Sequence, residues 1–305
     1  MPDLLSIEDL DRAAVEDLLD LGEEFIEVLR RDVPKVPALR GRTIGLMFYE
    51  PSTRTRLSFD RAAKALSADV LTFTPSGSSV SKGESLKDTA LTLKAMGPDL
   101  MVVRHGAAGA PWRVRDWTGL PTVNAGDGAH QHPTQALLDM LTLRRHFDKV
   151  DGLRVAIVGD IRHSRVARSV TGALQTLGAS VTLVAPSTLL PIDVGSWDVA
   201  VSSGIDDVLA DSDVVYLLRI QQERGGGDVF PSIAEYVTRF GLTRARADRL
   251  HPEAVVLHPG PMNRGVEIDP QVADGSRALV TDQVSNGIAV RMAVLFRLLT
   301  SEASE

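Results

Sequence analysis

Short apolar runs alternate with helical segments along nearly the whole chain, and the alternation begins twice. In the first half, the runs TIGLMFY, DVLTF, DLMVVRH and LPTVNA are typical of buried strands, with helices predicted at 52–66, 84–96 and 133–147. In the second half, LRVAIVGD, SVTLVAP, VVYLLRI and AVVLHP are further strands, and a helix is predicted at 164–177. Apolar runs separated by helices favour parallel sheets that are covered on both faces.

The two series predict an α/β fold with two similar-sized domains. Each domain is a mostly parallel sheet flanked by helices, and interdomain helices join them. We expect the first domain to comprise 1–132 together with a returning C-terminal segment, 286–305, whose residues 286–300 form an amphipathic helix. The helical segment 133–148 would connect the domains, and 149–285 would form the second.

The composition excludes several classes of function. The 305 residues carry a formal net charge of -7, which does not favour nucleic acid or an anionic membrane. There are no cysteines, so disulfides and thiolate metal sites are excluded. The N-terminal residues are acidic without a basic region typical of a signal peptide, and no apolar run is long enough to span a membrane. We therefore expect a soluble cytoplasmic protein.

The segment FYEPSTRTRLSF concentrates positive charge where a helix begins. Pro51 ends the preceding strand, and Ser52 is a good N-cap. The free N–H groups of a first helical turn bind anions, and Arg54 and Arg56 add planar donors suited to phosphate. The alternative is that both arginines pair with carboxylates on a solvated face.

A second polar cluster, GDGAHQHPTQ, precedes the helix predicted to begin at Pro133. His132 and Gln135 are three residues apart and could share one face of that helix. A metal site at His130 and His132 would need further ligands that the spacing does not supply. His132 could donate a hydrogen bond to a substrate carbonyl, or it could be a buried structural histidine. Arg104, at the end of the strand DLMVVRH, is either functional or a surface residue.

The remaining polar strand ends and loops are individually less specific. The loop GSSVSKGES holds Lys82 but does not match the phosphate-binding G-x-x-x-x-G-K-[ST] pattern. In the second half, arginines that follow different strands could clamp a dicarboxylate. Gly260-Pro261 is a candidate cis peptide. The polar residues at these strand ends are Arg162, His163 and Arg165 after LRVAIVGD, and Arg219 with Gln221 after VVYLL.

Six motifs occur in a fixed order along the chain, and together they resemble the aspartate/ornithine carbamoyltransferase family. They are FYEPSTRTRLSF, SKGES, HPTQALLD, GDIRHSRVARS, LLRIQQER and LHPGPMNRGVEI. STRTR is shared across that family, whereas RIQQER and HPGPMNRGVEI point to its aspartate branch. The ornithine branch typically carries an HCLP-type motif and an SMG segment, and this chain has neither.

The resemblance implies transfer of the carbamoyl group of carbamoyl phosphate to the amine of L-aspartate. The products would be N-carbamoyl-L-aspartate and phosphate, in an early step of de novo pyrimidine synthesis. No cofactor and no metal are implied. Alternatives are a carbamoyltransferase for another amino acceptor and a non-catalytic phosphate-binding relative that acts as a scaffold.

The resemblance also implies residue roles and partners. The first domain would bind carbamoyl phosphate and the second would bind aspartate. Residues implied to bind carbamoyl phosphate are Ser52, Thr53, Arg54, Thr55, Arg104, His132, Gln135, Gly260 and Pro261, with Arg54, Thr55, Arg104 and His132 catalytic. Aspartate would be bound by Lys82, Arg165, Arg219 and Gln221.

The implied assembly is a homotrimer with shared active sites. The loop with Ser78 and Lys82 would reach into the site of a neighbouring subunit. Regulatory chains or a dihydroorotase-type chain are candidate partners.

Arg56 is not implied to bind substrate directly. It would support the site by pairing with a carboxylate such as Glu50.

Overall fold

The computed structural model describes residues 1–75, 83–220 and 232–300, and within them strands alternate with helices as predicted. The strands are β1 Thr43–Phe48, β2 Asp69–Phe73, β3 Leu100–His105, β4 Thr122–Asp127, β5 Arg154–Val158, β6 Ser180–Val184, β7 Ala200–Ser202, β8 Val214–Leu217 and β9 Val255–Leu257. The helices are α1 Arg12–Leu29, α2 Thr53–Ala65, α3 Leu86–Ala95, α4 Ala110–Thr118, α5 Pro133–Phe147, α6 Arg165–Thr176, α7 Ile233–Phe240, α8 Arg244–Ala247, α9 Pro270–Ala273 and α10 Val280–Thr300.

The strands form two sheets. Four strands pair in the order β2-β1-β3-β4, and five pair in the order β7-β6-β5-β8-β9. Every pairing between these strands is parallel. Central strands such as β8 are buried along their whole length, as expected where helices cover both faces of a sheet. The predicted α/β class is confirmed.

The chain divides into two compact units. The first comprises Met1–Leu141 and Val284–Glu305, and the second comprises Thr142–Gln283. The chain passes between the units twice, inside α5 and inside α10. The division into 1–132 with 286–305, 133–148 and 149–285 stays a prediction.

Two helices differ from the sequence prediction. Helix α10 begins at Val280, before the predicted start at residue 286, because its polar first turn does not show the apolar periodicity of the rest. Helix α4 was not predicted. It begins after Gly109, which has φ +82° and no capping side chain, so the usual start signal is missing. In the described part of the chain, no helix is both long and apolar enough to cross a membrane.

Candidate active site

In each sheet there is one pair of adjacent strands from which the chain continues in opposite directions across the sheet. In the first unit this pair is β1 and β3, and in the second it is β5 and β8. Ligands of open α/β sheets bind beyond the carboxyl ends of the strands at such a place. The polar residues selected from the sequence follow these strands or the strands next to them.

The start of α2 lies directly after β1. The Ser52 hydroxyl accepts a hydrogen bond from the Thr55 N–H at 3.4 Å, which confirms the predicted N-cap. Thr53 and Arg54 are exposed, whereas Thr55 is buried. Among residues 1–75, 83–220 and 232–300, no carboxylate forms an ion pair with Arg54 or Arg56. The first turn of α2 therefore offers the N–H groups that precede Thr55, together with a guanidinium, to an anion.

Arg104 lies near the end of β3, opposite Phe48 of β1. Its Nη1 donates to the Ala125 carbonyl at 3.0 Å, and its Nη2 donates to Glu50 Oε1 at 3.2 Å. The Arg104 side chain is 11% exposed, so these two contacts fix the direction of a largely buried cation. Glu50, the carboxylate expected beside Arg56, is thus a partner of Arg104.

His132 and Gln135 lie at the beginning of α5, and both are buried. The His132 carbonyl accepts hydrogen bonds from the N–H groups of Gln135 and Ala136 as the helix starts. Gln135 Nε2 donates to Asp139 Oδ1, one turn further along, at 3.0 Å. The side chain expected to bind substrate is therefore held by a fully buried carboxylate.

The turn that leads to His132 is organised by Asp127, the last residue of β4. Its buried carboxylate accepts from the Gly109 N–H at 2.7 Å, Asn124 Nδ2 at 2.8 Å and the Gln131 N–H at 3.0 Å. It also contacts His130 Nδ1 at 3.1 Å. Burial alone would raise the pKa of Asp127, but hydrogen bonds from His130, Asn124 and Gly109 outweigh it and lower the pKa.

In the second unit, Arg165 and Arg219 follow the neighbouring strands β5 and β8. Arg165 is the first residue of α6 and is buried, and Ser164 caps that helix by accepting from the Ala167 N–H at 3.1 Å. Arg219 is half-buried. Both arginines thus lie at the carboxyl edge of the sheet, where the sequence predicted a carboxylate site.

The segment after β9 contains the Gly260-Pro261 peptide bond, and this bond is cis, as predicted. A fully buried histidine and glutamate hold the segment. His258 Nδ1 accepts from the Gly260 N–H at 2.8 Å, and its Nε2 lies 3.2 Å from Glu267 Oε1. Glu267 Oε1 also accepts from the Asn263 N–H at 2.6 Å. Because Nδ1 accepts, the geometry places a proton on Nε2, facing Glu267.

Sequence reasoning did not find the supporting carboxylates Asp127, Asp139 and Glu267. The spacing of four residues between Gln135 and Asp139 on a helix was a usable signal for Asp139.

Tyr236 is a buried phenol near two carboxylates. Burial, with the charges of Glu267 and Asp160, raises the pKa of Tyr236 far above its usual value. The phenol is therefore protonated at neutral pH.

Three residues selected from the sequence, Ser78, Lys82 and Gln221, lie outside the described residues. Within the described ranges, no group of three or more histidine, cysteine, aspartate or glutamate side chains is arranged to hold a metal ion. The described residues form two polar sheet edges. One has a helix start and arginines suited to a phosphate, and the other has arginines suited to carboxylates.

Two family models match adjoining parts of the chain. The aspartate/ornithine carbamoyltransferase, carbamoyl-P binding domain matches residues 2–145, and the Asp/Orn binding domain of the same family matches 151–298. The chain belongs to the aspartate/ornithine carbamoyltransferase family.

Within that family, the chain is similar to proteins of the aspartate branch. It is 58% identical over 299 residues to an aspartate carbamoyltransferase catalytic subunit of Thermobifida fusca, covering 98% of this chain and 96% of that one. Its fold matches aspartate transcarbamoylase from Trypanosoma cruzi in complex with N-(phosphonacetyl)-L-aspartic acid, with a TM-score of 0.88, 32% identity and coverage of 96% and 94%. It also matches the catalytic subunit of M. jannaschii aspartate transcarbamoylase, with a TM-score of 0.87, 36% identity and full coverage of both chains.

Proposed function

We propose that this chain transfers the carbamoyl group of carbamoyl phosphate to the amine of L-aspartate, giving N-carbamoyl-L-aspartate and phosphate. The observation that carries the proposal is the 58% identity, over 98% of the chain, to an aspartate carbamoyltransferase catalytic subunit. The reaction is an early step of de novo pyrimidine synthesis, and it makes the protein a transferase.

The first unit supplies groups suited to carbamoyl phosphate. Ser52, Thr53, Arg54 and Thr55 would bind the phosphate at the start of α2, where N–H groups and a guanidinium with no carboxylate partner in the described residues are available. Arg104, His132 and Thr55 would donate to the carbonyl oxygen. The Gln135 side chain and the carbonyls of Gly260 and Pro261 would accept from the carbamoyl NH2 group.

The second unit supplies groups suited to the other substrate. Arg165, Arg219 and Gln221, with Lys82 from a neighbouring subunit, would bind the two carboxylates of aspartate. Guanidinium groups suit this task because their planar N–H donors match a carboxylate in pairs. Aspartate would thereby be held with its amine directed to the carbamoyl carbon.

The proposed chemistry uses positioning and charge. The amine lone pair attacks the carbonyl carbon and forms the new C–N bond, while negative charge develops on the carbonyl oxygen. Donors fixed before the reaction, such as Arg104, stabilise that oxyanion. The bond from carbon to the phosphate oxygen then breaks, and phosphate leaves with the electron pair and accepts the amine proton.

The direct test is an assay of the purified chain with carbamoyl phosphate and either L-aspartate or L-ornithine. Chromatography should detect N-carbamoyl-L-aspartate and a stoichiometric amount of phosphate. Turnover of ornithine with none of aspartate would assign the chain to a different acceptor. Absence of turnover with every amine tested would instead support a non-catalytic phosphate-binding relative.

A binding measurement tests the same site without turnover. N-(phosphonacetyl)-L-aspartate joins a phosphonate to an aspartate, so it would occupy both halves of the proposed site. A ligand that binds only the native state raises the melting temperature, by an amount that grows with the logarithm of its concentration divided by its Kd. We expect a clear rise with this compound, and a smaller rise with phosphate alone. Equal shifts would contradict a combined site.

For the assembly, we propose a homotrimer with shared active sites, in which the Ser78 and Lys82 loop completes the site of a neighbouring subunit. The support is the family relationship and the presence of both residues in this sequence. A cytoplasmic location, without nucleic acid or membrane as a partner, fits the acidic composition. The native mass in cell extract would distinguish a bare trimer from a complex with regulatory or dihydroorotase-type chains.

A further inference from the structure

Gln135 and Asp139 form a buried pair on successive turns of α5. Gln135 is 8% exposed and Asp139 is fully buried. The Gln135 Nε2 atom donates to Asp139 Oδ1 at 3.0 Å. Residues four apart on a helix share a face, so the pair is a local feature of α5. The contact determines how the Gln135 amide is turned.

An ionised carboxylate accepts hydrogen bonds and cannot donate them. Gln135 must therefore present its NH2 group to Asp139. The carbonyl oxygen of the planar amide then lies on its other branch, away from the carboxylate. A protonated Asp139 would remove this constraint, since an acid O–H could donate to the amide oxygen and reverse the amide. The charge of Asp139 thus decides the orientation.

Arg291 of α10 is a buried cation of the same unit, and the charge of Asp139 acts on it. It is 4% exposed, its Nη1 donates to the Gly287 carbonyl at 2.9 Å, and its guanidinium lies 5.1 Å from the centre of the Phe59 ring. Burial lowers the pKa of Arg291 to about 10, with the charge of Asp139 opposing the shift and that of Arg104 adding to it. The group is still a cation at neutral pH.

A buried cation requires a nearby anion, because an isolated charge is expensive to remove from water. Asp139 is the carboxylate whose charge acts on Arg291. The position of Gly287 fits this arrangement, because a Cβ atom there would come within 2.6 Å of Arg291 Nη1 and 3.0 Å of Leu138 Cδ2. The room for the buried guanidinium depends on a glycine one helical turn before it.

We propose that Asp139 is a positioning residue that directs the Gln135 carbonyl oxygen to the donor substrate and thereby selects an acyl phosphate that bears an NH2 group. The proposal rests on the proposed function, in which Gln135 meets the carbamoyl group. A carbonyl oxygen accepts from an NH2 group and gains nothing from a methyl group of the same size. A reversed amide would present its own NH2 group to the substrate and lose the preference.

The test compares carbamoyl phosphate with acetyl phosphate as donors to aspartate. With acetyl phosphate, the amine forms a C–N bond to the acetyl carbon, the carbon–oxygen bond to phosphate breaks, and phosphate takes the proton. In Asp139→Asn the neutral amide can pair with either end of Gln135. We expect the ratio of kcat/KM for carbamoyl phosphate over acetyl phosphate to fall about tenfold, the value of one hydrogen bond.

The matched control is Asp99→Asn. Asp99 directly precedes β3, at the amino end of the four-stranded sheet. Asp99 accepts from the Thr43 N–H at 2.8 Å and pairs with Arg42 at 2.7 Å, so it too is a carboxylate held by hydrogen bonds within the first unit. This variant should leave the donor ratio unchanged. If Asp139→Asn lowers turnover of both donors by the same factor, Asp139 serves only the structure and the proposal is overturned.

A second pair of variants covers the case in which Asp139→Asn folds poorly. Arg291→Met removes the cation while Gln135 and Asp139 remain, and it should lower the donor ratio in the same direction. Arg291→Lys keeps a positive charge and should restore most of the ratio. Equal ratios in the Met and Lys variants would contradict a role for the charge of Arg291.

A binding measurement separates this proposal from the proposed function. Phosphonoacetamide carries an NH2 group where phosphonoacetone carries a methyl group. Calorimetry of the wild-type chain should show a preference for the amide, and Asp139→Asn should lose it. If the wild-type chain forms no N-carbamoyl-L-aspartate but shows this preference, the proposed function fails and the orientation stands. No preference in the wild-type chain overturns the orientation.

Discussion

Two arginines proposed to meet the same substrate are held in different ways. Arg104 is fixed by the Ala125 carbonyl and by Glu50, and it is largely buried. Arg54 is exposed and has no carboxylate partner among the described residues. Arg104 is therefore part of the folded core, whereas Arg54 is a cation whose contribution depends on a bound anion. Its position also opposes the helix dipole of α2, so it adds little stability by itself.

Replacing Arg54 should separate activity from stability. We expect Arg54→Ala to reduce kcat/KM by about 100- to 1,000-fold, through loss of a charged donor to the phosphate. The free energy of unfolding should change by less than about 0.5 kcal/mol, as for other exposed positions. Arg61→Ala, an exposed arginine on the same helix, is the matched control and should leave both quantities near wild type. Similar kinetic losses in the two variants would exclude a specific role for Arg54.

Asp127 predicts a pH dependence of stability. Its folded-state pKa is below its unfolded value, so ionisation stabilises the native protein above the unfolded pKa, and this stabilisation is lost as pH falls through the folded pKa. Asp127→Asn should cost about 1–3 kcal/mol near neutral pH, because buried donors lose a charged acceptor. The difference in free energy of unfolding between variant and wild type, measured by urea denaturation, should become smaller below about pH 4. A difference that does not change with pH would contradict a stabilising role for ionised Asp127.

At the scale of elements, the residue that follows β5 must be a glycine, because the chain turns there toward the proposed site. Gly159 has φ +127°, and a Cβ atom there would lie 2.9 Å from the Leu218 carbonyl oxygen and 3.1 Å from the Tyr236 hydroxyl. Asp160 follows directly. The close approach of β8 and the left-handed backbone both exclude a side chain at this position.

The matched substitutions at this element are Gly159→Ala and Gly152→Ala. Gly152 also has positive φ, +80°, but a Cβ atom there would contact nothing within 4 Å. We expect Gly152→Ala to cost about 1 kcal/mol from backbone strain alone. Gly159→Ala should cost about 2–4 kcal/mol, because strain and overlap combine. Urea denaturation of both variants measures the difference, and equal losses would show that the contacts with β8 are unimportant.

Elements with strong local signals were predictable from the sequence. Helix α5 begins and ends where its proline start and apolar pattern predict, and the Ser52 cap of α2 is present. Helix α4 was missed because the sequence APWRVRDWT lacks a clear apolar period and a capping side chain. Strand β7 has three residues, too few to show an alternation.

For the site, the strand-end residues were predictable because the rule for parallel sheets places them at one edge. Their supporting contacts were harder to predict. Glu50 was expected beside Arg56, but the pairing of β1 with β3 brings it to Arg104. The contacts of Asp127 and Glu267 depend on turns whose geometry a single sequence does not specify. Such contacts are set by tertiary packing.

At the scale of the whole molecule, the proposed site shared between subunits predicts complementation between inactive chains. Ser52→His and Lys82→Ala should each be inactive alone, because each removes one side of every site. After the two variants are unfolded together and refolded, random assembly should give intact sites at about a quarter of the interfaces, since each side is intact in half of the chains. The regained specific activity measures this fraction. No recovery would contradict a site shared between subunits.

The first unit combines Met1–Leu141 with Val284–Glu305, and most of α10 belongs to the second of these segments. Phe296 packs edge-on against Phe25 at 5.8 Å, and Arg291 lies over Phe59 of α2. During synthesis, residues 1–141 leave the ribosome long before α10 does, and until then they lack the helix that fills their core. The second unit, Thr142–Gln283, is continuous and can fold first. The part of the protein translated first is therefore completed last, and the nascent chain exposes apolar surface that chaperones would recognise.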